Sequence, residues 1–505
     1  NCMTLRSTTL EVLEAFRKRG GRVIFAGSLP TLEDALPSKR GADLAKNCEV
    51  IPFGKYSLLK AFARERDVEI KEKDGCASTN LIYQMREEGE NRWLFLAHVN
   101  RVANGSENAI VISEEENKKK NQDLPWKEEL KITIKGQWKA TWYDAVTGEI
   151  QELKVSHKDG TTILHRVMYD QDSLLLYLEP AKEVQGSSVE EKNSHRKQRA
   201  LSLPSETEIQ LSEPNVSVLD LAEYRFDEGE WQPQEELLRI DNLFRETLGY
   251  PLRMEAFAQP WTNAQEEQTS HVLSLRFAVE TRISLSHVML AMENEETTEI
   301  YLDGMPVENH QTGWYTDHCI HTTELPLLTK GTHCLEVRIP YHSKVNVENL
   351  FLLGEFGVEV SGRRQVLTEA KKTASYTDLT CQGFPFYGGN VTYKIPFVSD
   401  GGEVKVSATM FRAPVLKVAV DGKEMGHIAY APYERSLGEL PAGEHMLELT
   451  VFGNRVNTFG TLHNCNQKEE WFGPNSWRTE GDEWAYEYQL RATGLLKAPV
   501  LTEEK

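Results

Sequence analysis

Apolar residues recur at every second position over most of the chain beyond about residue 76, and at helical spacing only before residue 70 and between residues 234 and 248. The clearest stretch begins at Glu299, where Ile300 and Leu302 alternate with polar neighbours up to Asp303-Gly304. An aromatic excursion, Gly313-Trp-Tyr-Thr-Asp317, leads to a second alternating run, Gly331-Thr-His-Cys-Leu-Glu-Val337. Period two with a tight turn between runs predicts a hairpin of an antiparallel sandwich. The same succession returns in Val418-Ala-Val420, Asp421-Gly422 and Ala442-Gly-Glu-His-Met-Leu-Glu-Leu449. Two copies predict two similar all-β domains in tandem, and direct the search for function to what the copies share.

The remaining pattern divides the chain further. Leu10, Leu13 and Phe16 fall on one face of a helix over Thr8 to Arg19, with Thr8 and Glu11 spaced as a capping box and Gly20-Gly21 as its stop. Arg22-Val-Ile-Phe-Ala26 reads as a buried strand, and Tyr56 to Ile70 as a second helix and strand. Residues 1–75 therefore read as a partial α/β segment of the open-sheet kind, expected to be truncated at its start. Alternation over Asn80 to Met85, Arg92 to His98, Ala109 to Ser113, Leu130 to Ile134, Lys139 to Tyr143, Thr162 to Arg166 and Leu174 to Leu178 makes residues 76–180 a small β-sandwich. Residues 181–214, rich in Glu, Lys, Ser, Arg and Gln, read as a linker. Residues 215–370 hold a helix over Gln234 to Leu248, with Leu237, Ile240, Phe244 and Leu248 on one face, and the first copy of the repeat; residues 371–505 hold the second.

Composition narrows what such a chain does. Its 505 residues suit three or four domains of roughly 100–200 residues each. A net charge of −20, from 57 basic and 77 acidic residues, repels nucleic-acid phosphates and anionic membrane surfaces. No apolar run approaches the roughly 20 residues a membrane helix needs. The seven cysteines are odd in number, scattered and without a C-x-x-C pair, which argues against a zinc knuckle or disulfide framework and tilts the expectation toward a reducing, cytoplasmic setting.

Candidate chemistry lies in the loops. A sugar ring offers an apolar face and a rim of hydroxyls, so it is met by a flat aromatic beside amides and carboxylates. Trp314, Tyr315 and Asp317 form one such group; Trp471 and Trp477, with Asn475 and Arg478, form another. Each tryptophan has an alternative role as sandwich core. Glu348 and Glu355 are close enough in sequence to suggest an acid and nucleophile pair for glycoside cleavage, or the rim of a neighbouring pocket, or plain turn residues. Asp317, His318, Cys319 and His321, and likewise His463 with Cys465, lack zinc-site spacing with a matching second pair, and no metal is assigned. No cofactor is expected, although a structural calcium in a jelly roll would leave no fixed sequence pattern.

Four features in order resemble the sugar-binding jelly rolls of glycoside hydrolase family 2 and the C-terminal region of the family 106 α-L-rhamnosidases. They are the hairpins at Asp303-Gly304 and Asp421-Gly422, the strands Gly331 to Val337 and Gly443 to Leu449, the opening Tyr387 to Tyr393, and the close Thr493 to Val500. Residues 1–75 are similar to the flavodoxin-like, amidotransferase-type domain that follows the barrel in several glycosidases. The resemblance implies a mainly β fold, with tandem jelly-roll (galactose-binding-like) sandwiches behind a small sandwich and a flavodoxin-like fragment. It implies carbohydrate as partner and an upstream (β/α)8 barrel as the catalytic domain. A barrel takes roughly 250 residues of alternating strand and helix, which this sequence lacks, so no catalytic residue is carried over. The chain is thus expected to be the non-catalytic C-terminal portion of a glycoside hydrolase. The alternatives are an architectural module that binds no sugar and an independent glycosidase with carboxylates in a sandwich cleft.

Overall fold

Alternation becomes sheet in most of the places where the sequence shows it. The computed structural model describes residues 2–99, 127–169, 171–181, 198–252, 271–466 and 480–504. These fall into two units, one of the described residues up to 181 (apart from a few near 170) and one of those from 198 onward. The expected strand at Ala109 to Ser113 lies outside the described residues.

In the first unit a helix spans Ser7–Lys18, and a two-stranded parallel sheet pairs Ile24–Ala26 with Glu49–Ile51. The capping box at Thr8 and Glu11 does not form. Arg6 is the N-cap and makes no side-chain capping hydrogen bond, while the Ser7 N–H donates to Asp34 Oδ1 from a distant loop. The strand Val68–Glu72, expected to extend the α/β sheet, instead runs antiparallel to Lys127–Lys135 inside the small sandwich. That sandwich has a five-stranded and a four-stranded sheet. Alternate residues Leu94, Leu96, Leu130, Ile132, Ile134, Leu174, Leu176 and Leu178 fill the space between them.

In the second unit the first copy of the repeat is a sandwich. His271–Thr281 pairs with Gly331–Tyr341 in register from His271 opposite Tyr341 to Thr281 opposite Gly331. Leu273, Leu275, Phe277 and Val279 point inward from one strand, and Leu335, Val337, Ile339 and Tyr341 from the other. The opposite face is charged, with Arg276 Nε donating to Glu336 at 2.7 Å. The facing sheet orders its strands as Asn215–Leu219, Leu350–Gly354, Met289–Met292, Asp317–Glu324 and Gln311–Tyr315. The helix runs over Leu237–Leu248, three residues shorter at its start than the pattern suggests, because Gln232–Glu236 with its proline is an edge strand. Glu236 caps the helix by accepting the Arg239 N–H at 3.0 Å, and Gly249 ends it at φ 70°. Leu237, Ile240 and Phe244 bury the predicted face, with Phe244 stacked 4.1 Å from Phe226.

The second copy closes differently. Val391–Ser407 and Glu434–Val451 pair from Val391 opposite Val451 to Ser407 opposite Glu434, long enough to serve more than one part of the sheet. Part of the expected linker belongs here. Gln198–Ala200 pairs with Val500–Glu504, and Glu206–Leu211 pairs with Val391–Ser407, burying Thr207 and Ile209. The alternation of Glu206 to Leu211 was hidden in a charged stretch.

What the copies share is a clasp. Asp303 and Gly304 both take positive φ (51° and 77°), as do Asp421 and Gly422 (51° and 78°), the geometry of a two-residue hairpin turn. Asp303 Oδ1 accepts the Cys334 N–H at 2.8 Å while Oδ2 meets His333 Nδ1 at 2.7 Å; Asp421 treats Met446 and His445 alike, at 2.8 and 2.7 Å. The far ring nitrogens reach the carbonyls of Thr329 and Pro441, at 2.7 and 3.0 Å. Both nitrogens of each ring face acceptors, so each histidine is held as imidazolium. Burial pulls the His333 imidazole down, but the Thr329 carbonyl and Asp303 outweigh it and raise its pKa; for His445 the Asp421 bond leads, with the same sign.

Candidate functional site

The second unit contains a cleft of about 140 Å³ between the first sandwich and the chain that follows the last long strand of the second. Four carboxyl groups reach its lining, those of Asp220, Glu236, Glu293 and Glu348, together with Asn349, His463, Asn464 and Trp484. Ile320, Phe351, Phe459 and Leu462 supply the apolar part.

Asp220 sits where Asn215–Leu219 passes into Leu221–Phe226, so the chain changes sheets with this carboxylate aimed inward. Tyr488 donates to its Oδ1 at 2.6 Å, and His463 Nε2 meets Oδ2 at 3.0 Å. His463 Nδ1 faces the Ala485 carbonyl at 2.8 Å, which only accepts. With an acceptor at each nitrogen, this ring too carries both protons. Burial opposes its charge, yet the bond to Asp220 prevails and the pKa is raised. Behind Tyr488, Gln365 donates to the tyrosine oxygen at 2.6 Å and accepts from Ser217 Oγ at 2.6 Å, so the buried network is filled on each side.

Glu236 sits beside this pair in a different state. Burial pushes its carboxyl up to about 7, with nearby Asp220 adding to the rise and the Leu238 and Arg239 N–H groups and His463 opposing it. One cleft therefore holds a carboxyl group bonded to a histidine and a tyrosine beside a carboxyl that changes protonation near neutrality. Glu293 is fixed by Asn346 Nδ2 at 2.6 Å. Trp484 is half-buried; Arg239 lies over it at 4.0 Å, and the Tyr486 ring meets it edge-on at 4.5 Å.

Of the sequence candidates, Glu348 lines this cleft, while Glu355 is exposed in the turn between Gly354 and Gly357 and does not. Trp314 is 52% exposed on an edge strand, its ring 4.2 Å from His318. Tyr315, 5% exposed, packs between Phe351 and Phe459, where burial raises its hydroxyl to about 12; it presents no ring face to a ligand. Asp317 caps its own turn by accepting the Cys319 N–H at 3.1 Å. Trp471, Asn475, Trp477 and Arg478 lie outside the described residues. Sequence reasoning missed Asp220, Glu236, Glu293 and Trp484, and weighed His463 only as a metal ligand. The one available signal was the alternation of Trp484, Tyr486 and Tyr488, whose rings all turn inward from a segment that is extended but not a strand.

Among solved structures, the rhamnosidase from Novosphingobium sp. PP1Y aligns with 99% of this chain and 33% of its own, at 11% identity and a TM-score of 0.42. The exo-chitosanase of Amycolatopsis orientalis covers 48% of this chain and 29% of its own, at 11% identity and a TM-score of 0.20. A β-glucuronidase from Ruminococcus gnavus covers 49% and 41%, at 11% identity and a TM-score of 0.17. All three are glycoside hydrolases, and the chain spans about a third of the rhamnosidase's length. No family model matches the chain, and no curated protein matches it in sequence.

Proposed function

We propose that the cleft binds a saccharide, and that the chain is the carbohydrate-recognising portion of a glycoside hydrolase whose bond cleavage is performed by a catalytic domain elsewhere in the enzyme. The observation that carries this reading is the meeting of Trp484 with four carboxyl groups and two carboxamides in one concave site. Carboxylates accept hydrogen bonds from sugar hydroxyls, often two from neighbouring carbons, while an indole takes the ring's C–H face. The negative lining disfavours phosphorylated or sulfated ligands and suits neutral ones. Calorimetry with rhamnose- and galactose-containing oligosaccharides tests it: one-site binding that Trp484→Ala abolishes is expected, and no heat with any of them overturns it.

A second reading rests on Glu236. A carboxyl near 7 beside further carboxyl groups supplies the pair of acidic residues that glycosidases use as acid and base. Hydrolysis of an aryl glycoside by this chain alone, lost in Glu236→Gln, would establish that reading and remove the non-catalytic part of the first.

A further inference from the structure

Apart from the residues that line the cleft, three ligand-bearing side chains converge at one place. His321 stands on Asp317–Glu324, directly opposite Met292 in the antiparallel register. Past Met292 the chain reverses at Asn294, which takes φ 56°, and a short 3₁₀ turn, Glu295–Thr297, comes back over the histidine. Glu295 Oε2 lies 3.9 Å and Glu296 Oε2 3.3 Å from His321 Nδ1, and the three ligand atoms all fall within 4.8 Å of one another.

Two further features distinguish this group from solvated surface charge. His321 Nδ1 is closed off from solvent and makes no hydrogen bond, although two carboxylate oxygens stand near it. An imidazole nitrogen in that position needs a partner, and the oxygens are not aligned to provide one. Glu295 is nearly fully buried, 3% exposed, and its other oxygen accepts from Thr323 Oγ1 at 2.5 Å, which fixes which oxygen faces the histidine. Asn309 Nδ2 ties the turn down by donating to the carbonyls of Glu295 and Thr298 at 2.7 and 2.6 Å.

We infer that Glu295, Glu296 and His321 form a binding site for a first-row divalent cation of the zinc type, with the neutral His321 Nδ1 and one oxygen from each carboxylate as ligands. Ligands about 2.0–2.2 Å from such an ion stand roughly 3.3 Å apart, so the spacing needs only small side-chain rotations. The imidazole ligand favours zinc and the other later first-row ions over manganese, magnesium and calcium. Glu296 is 60% exposed, which leaves an entry side and room for a water ligand. The donor set is not the Asp317, His318, Cys319 and His321 cluster of the sequence: Cys319 Sγ turns to Glu293 Oε1 at 3.7 Å, and burial raises its thiol to about 11. A bound ion would cross-link the Glu295–Thr297 turn to the strand whose Ile320 lines the cleft.

The test uses the full chain, stripped by a chelator and titrated calorimetrically with ZnCl₂ alongside His321→Ala and Glu296→Gln. Other histidines and the free cysteines will bind zinc as well, so the readout is the difference between proteins. One micromolar equivalent is expected in the unaltered chain, weakened about tenfold or more in both variants. Zinc should raise the melting temperature of the unaltered chain and not of the variants. Co²⁺ at this site should show visible d–d bands without a thiolate charge-transfer band. Glu296→Gln changes an exposed residue and keeps the fold, so equal zinc stoichiometry and affinity in it and the unaltered chain would overturn the site. Lack of binding by the unaltered chain would do the same. Neither result depends on whether the cleft takes a sugar.

Discussion

The two sandwiches of the second unit carry the same clasp, Asp303 with His333 and Asp421 with His445, in nearly superimposable hydrogen-bonding terms. Only the first has a cleft lined by Asp220, Glu236 and His463, and it builds that cleft from parts with no counterpart in the repeat: a strand-to-strand corner, a helix cap and a segment lent by its neighbour. Repetition here marks a folding device, an aspartate that terminates a hairpin and grips the returning strand. Candidate chemistry lies in what was added to one copy. The sequence reading looked for function in the shared residues, whereas the candidate cleft is lined by unshared ones.

That contrast predicts unequal costs. Asp220→Ala leaves a buried imidazolium and the Tyr488 hydroxyl without their acceptor, so unfolding in urea should show a loss of about 3–5 kcal/mol. A loss below 1 kcal/mol would mean the network is dispensable.

Glu236 gives a pH signature of the opposite kind. Its folded value, about 7, lies above the ordinary carboxyl range, so the folded chain holds a proton that the unfolded chain gives up, and stability falls as pH rises from about 4.5 to 7. Glu236→Gln removes that penalty and keeps a capping oxygen. Its stability relative to the unaltered chain should improve between pH 5 and pH 8 by about 2–4 kcal/mol, read from urea curves at each pH.

Breaking a clasp should cost less, and the same in both copies. Asp303→Asn and Asp421→Asn keep the turn but lose the ion pair, for about 1 kcal/mol each, because both aspartates are half-exposed and screened. The raised histidine values mean this contribution is full below about pH 6.5 and is lost as pH rises through them. On the acid side, the His333 bond holds Asp303 below its usual range, and the His445 bond does so for Asp421 against burial; the contribution fades as pH falls through those lowered values. A clear difference between the two variants would break the equivalence of the copies. Smallest for stability is Glu348→Gln on the exposed rim, expected within about 0.5 kcal/mol of the unaltered chain while saccharide affinity drops severalfold.

The sandwiches were legible because alternation such as Leu273, Leu275, Phe277 and Val279 is imposed by a sheet with one buried face. The helix face of Leu237, Ile240 and Phe244 was legible for the corresponding reason at period 3.6. Val68–Glu72 was misplaced because a strand's own pattern does not name its partner. The cleft was harder still. Asp220 and His463 are 243 positions apart, and each alone is one ionisable residue in an ordinary context. Of the cleft's carboxyl groups only Glu348 stands out in the sequence, from its proximity to Glu355, with which it shares no site, and His463 stands out only as a metal ligand beside Cys465.

Phe459, Leu462, Tyr488 and Leu490 belong to the later half of the unit by sequence, yet they pack on the hydrophobic core of the earlier half. A gene cut near residue 370 to express the first sandwich by itself would remove part of that sandwich's own interior. The two repeats cannot be exchanged or shuffled like independent cassettes, and any dissection of their roles has to proceed by point substitution within the intact pair.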